Sequence, residues 1–276
     1  MSFVVKKIPM IISSSAASGA MNKTADGHRF EVRFEDGVNI PKDSHNCSVT
    51  VDSATVWWSV PNIVTGVNDK LYITGPAVNG TLTNYDLTIP QGLYDLPQLN
   101  ETIQILLANA GSKVAPDPLV TFSGDESTGK IQMEIPYTNV SVDFTVANNC
   151  RVILGFDSAV YGPYASAPIT VISPNIAYLN PLEYFLIHSD LTAKGIRVNN
   201  KYGQVISQVL IDKPPGSQII SEPRHPPAVA CGSLIGERRT HASFWLTDEL
   251  GEPVNTGGLD WSVRLTLRYE VPHIIR

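Results

Sequence analysis

Charged residues are scarce in this sequence of 276 amino acids, since Lys, Arg, Asp and Glu make up only 17 % of it. Ordinary soluble domains contain roughly 25 %. The 20 basic residues are outnumbered by 26 acidic ones, which gives a formal net charge of −6. Because grooves for nucleic acid neutralise phosphates with clustered cations, this balance argues against nucleic-acid binding by the folded body. So little charge suits a subunit whose sides are covered by neighbouring copies.

Cysteine is equally sparse. The three thiols are Cys47, Cys150 and Cys231, and their odd number and wide spacing fit neither a disulfide framework nor a zinc knuckle. We therefore expect buried free thiols, which are compatible with a reducing compartment. No apolar run approaches the roughly 18 residues of a membrane span, so no span is predicted. Two lysines and a proline interrupt the first twelve residues, which makes them a poor signal peptide.

Motifs for catalysis and metal binding are also missing, and no catalytic, cofactor-binding or metal-ligating residue is predicted. Residues 124–130 have the glycine and lysine spacing of a phosphate-binding P-loop, but Ile131 follows where Ser or Thr must hold magnesium. Ser233 lacks the glycine spacing of a nucleophile elbow. Asp248 to Glu252 offer carboxylates for calcium without the spaced pattern of an EF-hand loop, so a turn is favoured. The sequence therefore does not predict an enzyme.

Strand periodicity is what the sequence does contain. Phe30, Val32 and Phe34 alternate with charged residues, and a period of two indicates a strand with one buried face. The same alternation is clearest from Trp261 to Tyr269. Glycine, proline and asparagine separate the strand-like segments, so the pattern predicts a mainly β fold, either a β-sandwich or a barrel. The other predicted strands cover residues 47–58, 71–73, 85–89, 119–122, 131–135, 140–144, 183–188, 195–198, 204–211 and 242–246.

One amphipathic helix interrupts the strands. Asp95 is a suitable N-cap, Gln98 is its capping-box partner three residues on, and Gly111 supplies the stop. Apolar residues between them fall at helical spacing, which predicts a packing surface. Asn148 is predicted to cap a second, short helix that covers residues 152–154 and ends at Gly155.

Two segments lack any periodicity. Residues 1–28 include the run of small residues from Ser13 to Ala20 and predict an N-terminal arm. Either the arm is disordered, or it becomes ordered by lying across a neighbouring subunit. Residues 157–181 are rich in proline, tyrosine, alanine and serine, which is typical of a connector.

Several short motifs occur in an order that carries a family resemblance. They are Val60-Pro61-Asn62-Ile63, Ile89-Pro90-Gln91-Gly92-Leu93-Tyr94-Asp95-Leu96, Val142-Asp143-Phe144, Ile153-Leu154-Gly155-Phe156, Lys213-Pro214-Pro215-Gly216, Glu222-Pro223, Ser243-Phe244-Trp245-Leu246-Thr247-Asp248 and Trp261-Ser262-Val263. This order resembles the penton and minor capsid proteins of polinton-like elements and related icosahedral DNA viruses.

The resemblance implies a jelly-roll β-sandwich with an inserted small α+β region. The jelly roll would comprise residues 29–60 and 160–276, the insertion residues 61–159, and the arm residues 1–28. Two tandem jelly rolls, one in each half of the chain, are the alternative architecture.

The resemblance also implies a function without catalytic residues or cofactors. The chain would be a structural capsid protein, either a penton subunit at a vertex or a small capsid subunit. Its partners would be further copies of itself in a homo-oligomer, expected to be a pentamer, together with neighbouring capsid proteins and a host receptor or spike protein. It would be made inside the host cell and reside in the virion.

A carbohydrate-binding or receptor-binding β-sandwich module is the alternative function. Aromatic side chains stack on sugar rings, and the candidates are Trp57, Trp58, Tyr161, Tyr164 and Trp261. Most of them lie in or beside predicted strands, so core packing is favoured for most of them.

Overall fold

The computed structural model describes residues 2–112, 117–125, 127–180, 182–199 and 201–273. Two α-helices, α1 (Leu96–Asn109) and α2 (Arg151–Leu154), and two single 3-10 turns, Ala16–Ser18 and Gly232–Leu234, lie within these ranges. The strands, in chain order, are β1 (Phe3–Ser13), β2 (Ala20–Met21), β3 (Arg29–Asn39), β4 (His45–Trp57), β5 (Lys70–Pro76), β6 (Leu82–Thr88), β7 (Thr121–Asp125), β8 (Lys130–Ile135), β9 (Ser141–Asp143), β10 (Val160–Tyr161), β11 (Ile169–Ile172), β12 (Tyr184–Ser189), β13 (Arg197–Val198), β14 (Lys201–Tyr202), β15 (Val205–Leu210), β16 (Gln218–Ser221), β17 (Val229–Ala230), β18 (Arg238–Thr247) and β19 (Ser262–Pro272).

The chain divides into two compact units. The first, which we call the sandwich, comprises Met1–Val60 and Leu182–Arg276, and the second, which we call the insertion, comprises Pro61–Pro181. Five-stranded sheets form the sandwich. One has the strand order β1-β19-β4-β16, with β17 also paired to β4, and the other has the order β15-β12-β18-β3-β2.

The strand order of the sandwich is that of a jelly roll. Its longer strands, β1, β3, β4, β12, β15, β16, β18 and β19, can be numbered one to eight along the chain. The first then pairs with the eighth, the second with the seventh, the third with the sixth and the fourth with the fifth. These nested antiparallel pairs roll into two sheets, as in jelly rolls. The predicted fold class, a mainly β jelly-roll sandwich, is confirmed.

Alternating burial explains why these segments form strands. In β19, Val263, Leu265 and Leu267 are buried, whereas the residues between them face outward. Phe30 of β3 stacks on Phe244 of β18, with ring centroids 5.7 Å apart. Each such strand buries one apolar face. Burial of apolar surface contributes about 25 cal/mol of stability per Å², so the packed core stabilises the sandwich.

The insertion has a separate hydrophobic core. Its sheets have the orders β10-β9-β5-β6 and β11-β8-β7, and α1 packs against β6 and β7. The predicted capping box of α1 is confirmed: the Gln98 amide donates to the Asp95 carboxylate at 2.8 Å, and the Asp95 amide donates to the Gln98 side chain at 3.2 Å. Buried residues at helical spacing then face the core, namely Leu99, Ile103 and Leu107.

The predicted N-terminal arm is wrong for most of residues 1–28. All eleven residues of β1 pair with β19, from Phe3 opposite Pro272 to Ser13 opposite Ser262, and β2 pairs with β3. The segment is therefore part of the sandwich. Its partner strand lies at the far end of the sequence, so no local pattern marks the pairing.

Three further expectations need correction. The boundary of the insertion lies at Pro181 and not at residue 159, and the predicted connector contributes β10 and β11 to its sheets. Helix α2 begins at Arg151 with Cys150 at the N-cap, in place of Asn148. One jelly roll in each half of the chain does not fit, because the sandwich takes its strands from both ends of the sequence.

Candidate functional site

Strand β1 forms one margin of the sandwich and is the first candidate for a contact surface. One of its edges pairs along its whole length with β19, and β1 is the last strand of its sheet. Phe3, Val5 and Ile11 are exposed on it, and the Ile11 side chain is 79 % exposed. Long edge strands with exposed apolar residues are sites where other chains associate.

Open-ended sheet extension along β1 is nevertheless restrained. Pro9 lies opposite Thr266 in the middle of the strand and has no backbone N–H to donate. Lys6 and Lys7 are exposed next to it, and lysines on an edge strand oppose uncontrolled pairing. The geometry therefore favours contact through apolar side chains over the addition of a further strand.

A groove runs beside the end of β1. Its volume is about 700 Å³, and it is bounded by Met10–Ser13 on one side and Val32–Glu35 of β3 on the other. The exposed Ile11 lies on the first side. We call β1, β2 and this groove the β1 flank.

The opposite margin of the sandwich is formed by β15 in one sheet and β16 in the other. Each strand exposes one large apolar residue, Leu210 at 62 % and Ile220 at 61 %. A cavity of about 480 Å³ adjoins β15 and is lined in part by Tyr184, Pro223 and Pro227. We call β15, β16 and this cavity the β15 flank. The sandwich thus has two different apolar margins.

A row of stacked side chains crosses the outer face of the sheet that contains β18. Trp245 lies opposite Arg29 of β3 on one side and opposite His188 of β12 on the other. The Arg29 guanidinium is 5.4 Å from the Trp245 ring centroid, and the His188 ring stacks at 5.2 Å with an interplanar angle of 14°. The Trp245 indole is therefore flanked by side chains from both neighbouring strands, and the row connects three strands of the sheet.

His188 is neutral in this row. Its Nε2 lies 2.8 Å from Thr247 Oγ1, and burial lowers the pKa of His188 to about 4. The imidazole thus stays uncharged beside the Arg29–Trp245 pair at neutral pH. Sequence reasoning did not single out this row, because the pairing register that aligns its members is not local.

Two of the aromatic residues proposed for sugar stacking are core residues. Trp58 and Trp261 are only 1 % and 2 % exposed, so neither can stack on an external ring. Trp57 belongs to the sandwich, whereas Tyr161 and Tyr164 belong to the insertion and pack against its core. Burial therefore removes Trp58 and Trp261 from the candidates for the carbohydrate-binding alternative.

The sequence motifs weighed for chemistry serve local structure. The P-loop-like segment is the tip of the β7–β8 hairpin, as predicted, and Glu126 within it lies outside the described residues. The Asp248 carboxylate accepts hydrogen bonds from the amides of Leu250 and Glu252, both at 2.8 Å, which closes a turn.

The predicted free, buried thiols Cys47, Cys150 and Cys231 are confirmed. Within the described ranges, no cluster of three His, Cys, Asp or Glu side chains is placed to hold a metal, and no helix there is long and apolar enough to cross a membrane.

Residues 24–28 form a turn that fastens the start of β3 to the loop before β19. Both Asp26 carboxylate oxygens lie within 2.8 Å of His28 Nδ1, and the Asp26 carbonyl accepts the Thr256 amide and hydroxyl at 2.9 Å each. Burial opposes ionisation of Asp26, but hydrogen bonds from Thr24 and His28 outweigh it and hold the pKa of this carboxyl below its usual value.

We expect an Asp26→Asn variant to lose at most about 1 kcal/mol of unfolding free energy at pH 7, because the pair is partly exposed. A carboxyl with a lowered folded-state pKa stabilises above its unfolded pKa of about 3.9, and this contribution is lost as the pH falls through the folded value. The deficit of the variant should therefore shrink below about pH 4. Denaturant unfolding at pH 7, 5 and 3.5 measures it, with exposed Asp43→Asn as the control. A deficit that does not change with pH would contradict a charged Asp26.

Comparison with known proteins gives structural likenesses but no sequence relative. No protein-family model matches the sequence, and no curated protein matches it as a relative. Among solved structures, the crystal structure of the selenomethionine-labelled mavirus penton protein is similar, with a TM-score of 0.46 and 9 % sequence identity over 96 % of this chain and 99 % of that one.

Proposed function

We propose that this chain is a non-enzymatic structural subunit of an icosahedral virus capsid, and that it forms a closed pentameric ring at the vertex. The observation that carries the proposal is the pair of dissimilar apolar margins on one jelly roll. The β1 flank exposes Phe3, Val5 and Ile11, and the β15 flank exposes Leu210 and Ile220. Capsid proteins are among the known uses of the jelly roll.

Two different margins favour a ring over a symmetric dimer. When one patch of a subunit binds a different patch of the next copy, the contact is heterologous and closes into a ring if the rotation allows. The margins lie at opposite ends of the two sheets, where β1 and β2 begin them and β15 and β16 end them. Each copy can therefore offer one margin to each neighbour.

Low charge supports permanent contact at these margins. Stable subunit interfaces bury more than about 2,000 Å² and are more apolar than transient ones. Only 17 % of the residues are charged, and the exposed apolar side chains of β1 would promote aggregation of a solitary molecule. Coverage by a sister copy removes that hazard.

The insertion is the part that we propose for contacts beyond the ring. A cavity of about 600 Å³ on it is lined in part by Val67, Val152 and Tyr178, and these three side chains are exposed. Exposed apolar clusters of this kind mark protein contact sites. The proposed partners are neighbouring capsid proteins and a host receptor or spike protein, in a virion assembled from chains made inside the host cell.

Purified protein is expected to form a single species of five copies. Native mass spectrometry gives the copy number, and negative-stain electron microscopy of the same sample should show five-fold rings. Because the contact is apolar, the species should persist in 1 M salt, where the screening length falls to about 3 Å. Only monomers at high protein concentration, or a dissociation that salt alone produces, would count against the ring.

A further inference from the structure

Two of the three thiols lie against each other in the sandwich. Cys47 is in β4, and Cys231 directly follows β17, which pairs antiparallel with β4 through Val229 opposite Val49 and Ala230 opposite Ser48. The register continues by one residue, because the Cys231 amide donates to the Cys47 carbonyl at 3.0 Å. The two sulfur atoms are 3.0 Å apart.

This placement meets the requirements of a disulfide. Residues opposite each other in an antiparallel pair have Cα atoms about 4.5 to 5.5 Å apart, inside the range of about 4.4 to 6.8 Å that disulfides span. The side chains already point at each other, so the sulfur atoms need only a small rotation to reach the bonded separation of about 2.0 Å. No shift of β4 is required.

The two thiols share a hydrogen bond in which either sulfur can be the donor. The sulfur that accepts this bond is stabilised as a thiolate, whereas burial opposes ionisation of both thiols. The thiolate is the nucleophile in thiol–disulfide exchange. The accepting thiol is therefore the attacking one, and its partner is the resolving thiol.

We propose that Cys47 and Cys231 form a redox-controlled cross-link, reduced inside a cell and closed by a small-molecule disulfide outside it. The thiolate of one cysteine attacks one sulfur of that disulfide, which forms a mixed disulfide and expels one thiolate. The other cysteine then loses its proton and attacks the protein sulfur of the mixed disulfide, which expels the second thiolate. The protein gives up two electrons and two protons, and the small disulfide becomes two thiols.

Closure would stabilise the sandwich. The cross-link joins positions 184 residues apart, and the unfolded chain loses more conformational freedom when a longer loop is closed. We expect the midpoint of thermal unfolding to rise by about 5 to 10 °C on oxidation.

Access of the reagent sets the rate of this oxidation. Both sulfurs are buried, so the reagent reaches them when the two-residue strand β17 opens locally. The reaction should therefore be slow and favour small reagents.

The test uses the full chain incubated in reduced or oxidised glutathione, quenched in acid and alkylated. Intact mass should show the loss of two hydrogen atoms after oxidation, and peptide mapping should join Cys47 to Cys231. Cys150 is the matched control thiol, because it is buried in the insertion, where burial raises its pKa to about 12. Cys150→Ser should therefore oxidise like the natural chain.

Cys47→Ser and Cys231→Ser should neither close the link nor gain thermal stability in oxidised glutathione. A natural chain that stays fully reduced in oxidised glutathione, stops at a stable mixed disulfide, or shows no rise in its unfolding midpoint after the link forms would overturn the proposal. Each of these outcomes can be measured on the natural chain alone, so the proposal can be tested even if a variant fails to fold. It is independent of the proposed ring, whose copy number is a separate measurement.

Discussion

A Trp261→Ala variant is expected to lose about 3 to 5 kcal/mol of unfolding free energy, a large share of the 5 to 15 kcal/mol that stabilises a typical domain. The indole is 2 % exposed and meets the Phe30 ring edge-on, with centroids 4.9 Å apart. Its Nε1 donates to the Gly27 carbonyl at 3.0 Å. Alanine would leave a cavity in the core of the sandwich and an unpaired carbonyl beside it.

The matched control for this variant is Trp57→Ala. Trp57 ends β4 and is only partly buried, so its loss should cost clearly less, on the order of 1 kcal/mol. Denaturant unfolding followed by tryptophan fluorescence and circular dichroism measures both variants. Equal losses would contradict the placement of Trp261 in the core. Trp261→Phe should fall between them, because it keeps the contact with Phe30 but loses the hydrogen bond.

The second large effect concerns the proposed ring. Ile11→Glu places a charge on the β1 flank, and the double variant Leu210→Glu, Ile220→Glu places two on the β15 flank. Each protein alone should be monomeric, because one of the two unlike margins is blocked on every copy. An equimolar mixture should give a heterodimer and nothing larger, since each pair of chains retains one intact contact.

Mass photometry of the two variants, separately and mixed, tests this expectation. The control is Val78→Glu, which charges an equally exposed residue of the insertion, at 78 %, and should leave the ring intact. Thermal unfolding checks that all chains fold. If one flank variant stays a dimer while the other is monomeric, the contact joins identical margins and the ring proposal fails. A mixture that holds only monomers would show that the two margins do not meet.

Local signals in the sequence predicted much of this fold. The alternation of Phe30 and Val32 and the capping box of Asp95 and Gln98 depend on neighbours within four residues, and both predictions are confirmed. The order of β-strands and turns rich in glycine and proline indicated a β-sandwich or a barrel for the same reason. Such features need no knowledge of distant partners.

Strand β1 could not be predicted in this way. Its outward side carries Phe3, Val5 and Ile11, which are apolar although exposed, so the alternation between buried and polar residues is lost. Its pairing partner β19 begins at Ser262. Apolar residues on the outer side of an edge strand hide the period of two and at the same time mark the surface proposed for assembly.

The two flanks were likewise invisible in the sequence. Leu210 and Ile220 lie in predicted or observed strands where an apolar residue is expected to be buried. Only the sheet order shows that β15 and β16 are edges and that these side chains remain uncovered. The stacked row of Arg29, Trp245 and His188 depends on register in the same way.

The nested pairing of the jelly roll determines the order in which the two units can fold during synthesis on the ribosome. The insertion is a continuous segment, Pro61–Pro181, and can fold as soon as it has emerged. Strand β4 emerges earlier but must wait for β16 and β19, its sheet partners. Until then its apolar face has no cover, and such late, long-range pairing is slow. The nascent chain should therefore depend on chaperones while the insertion is already native.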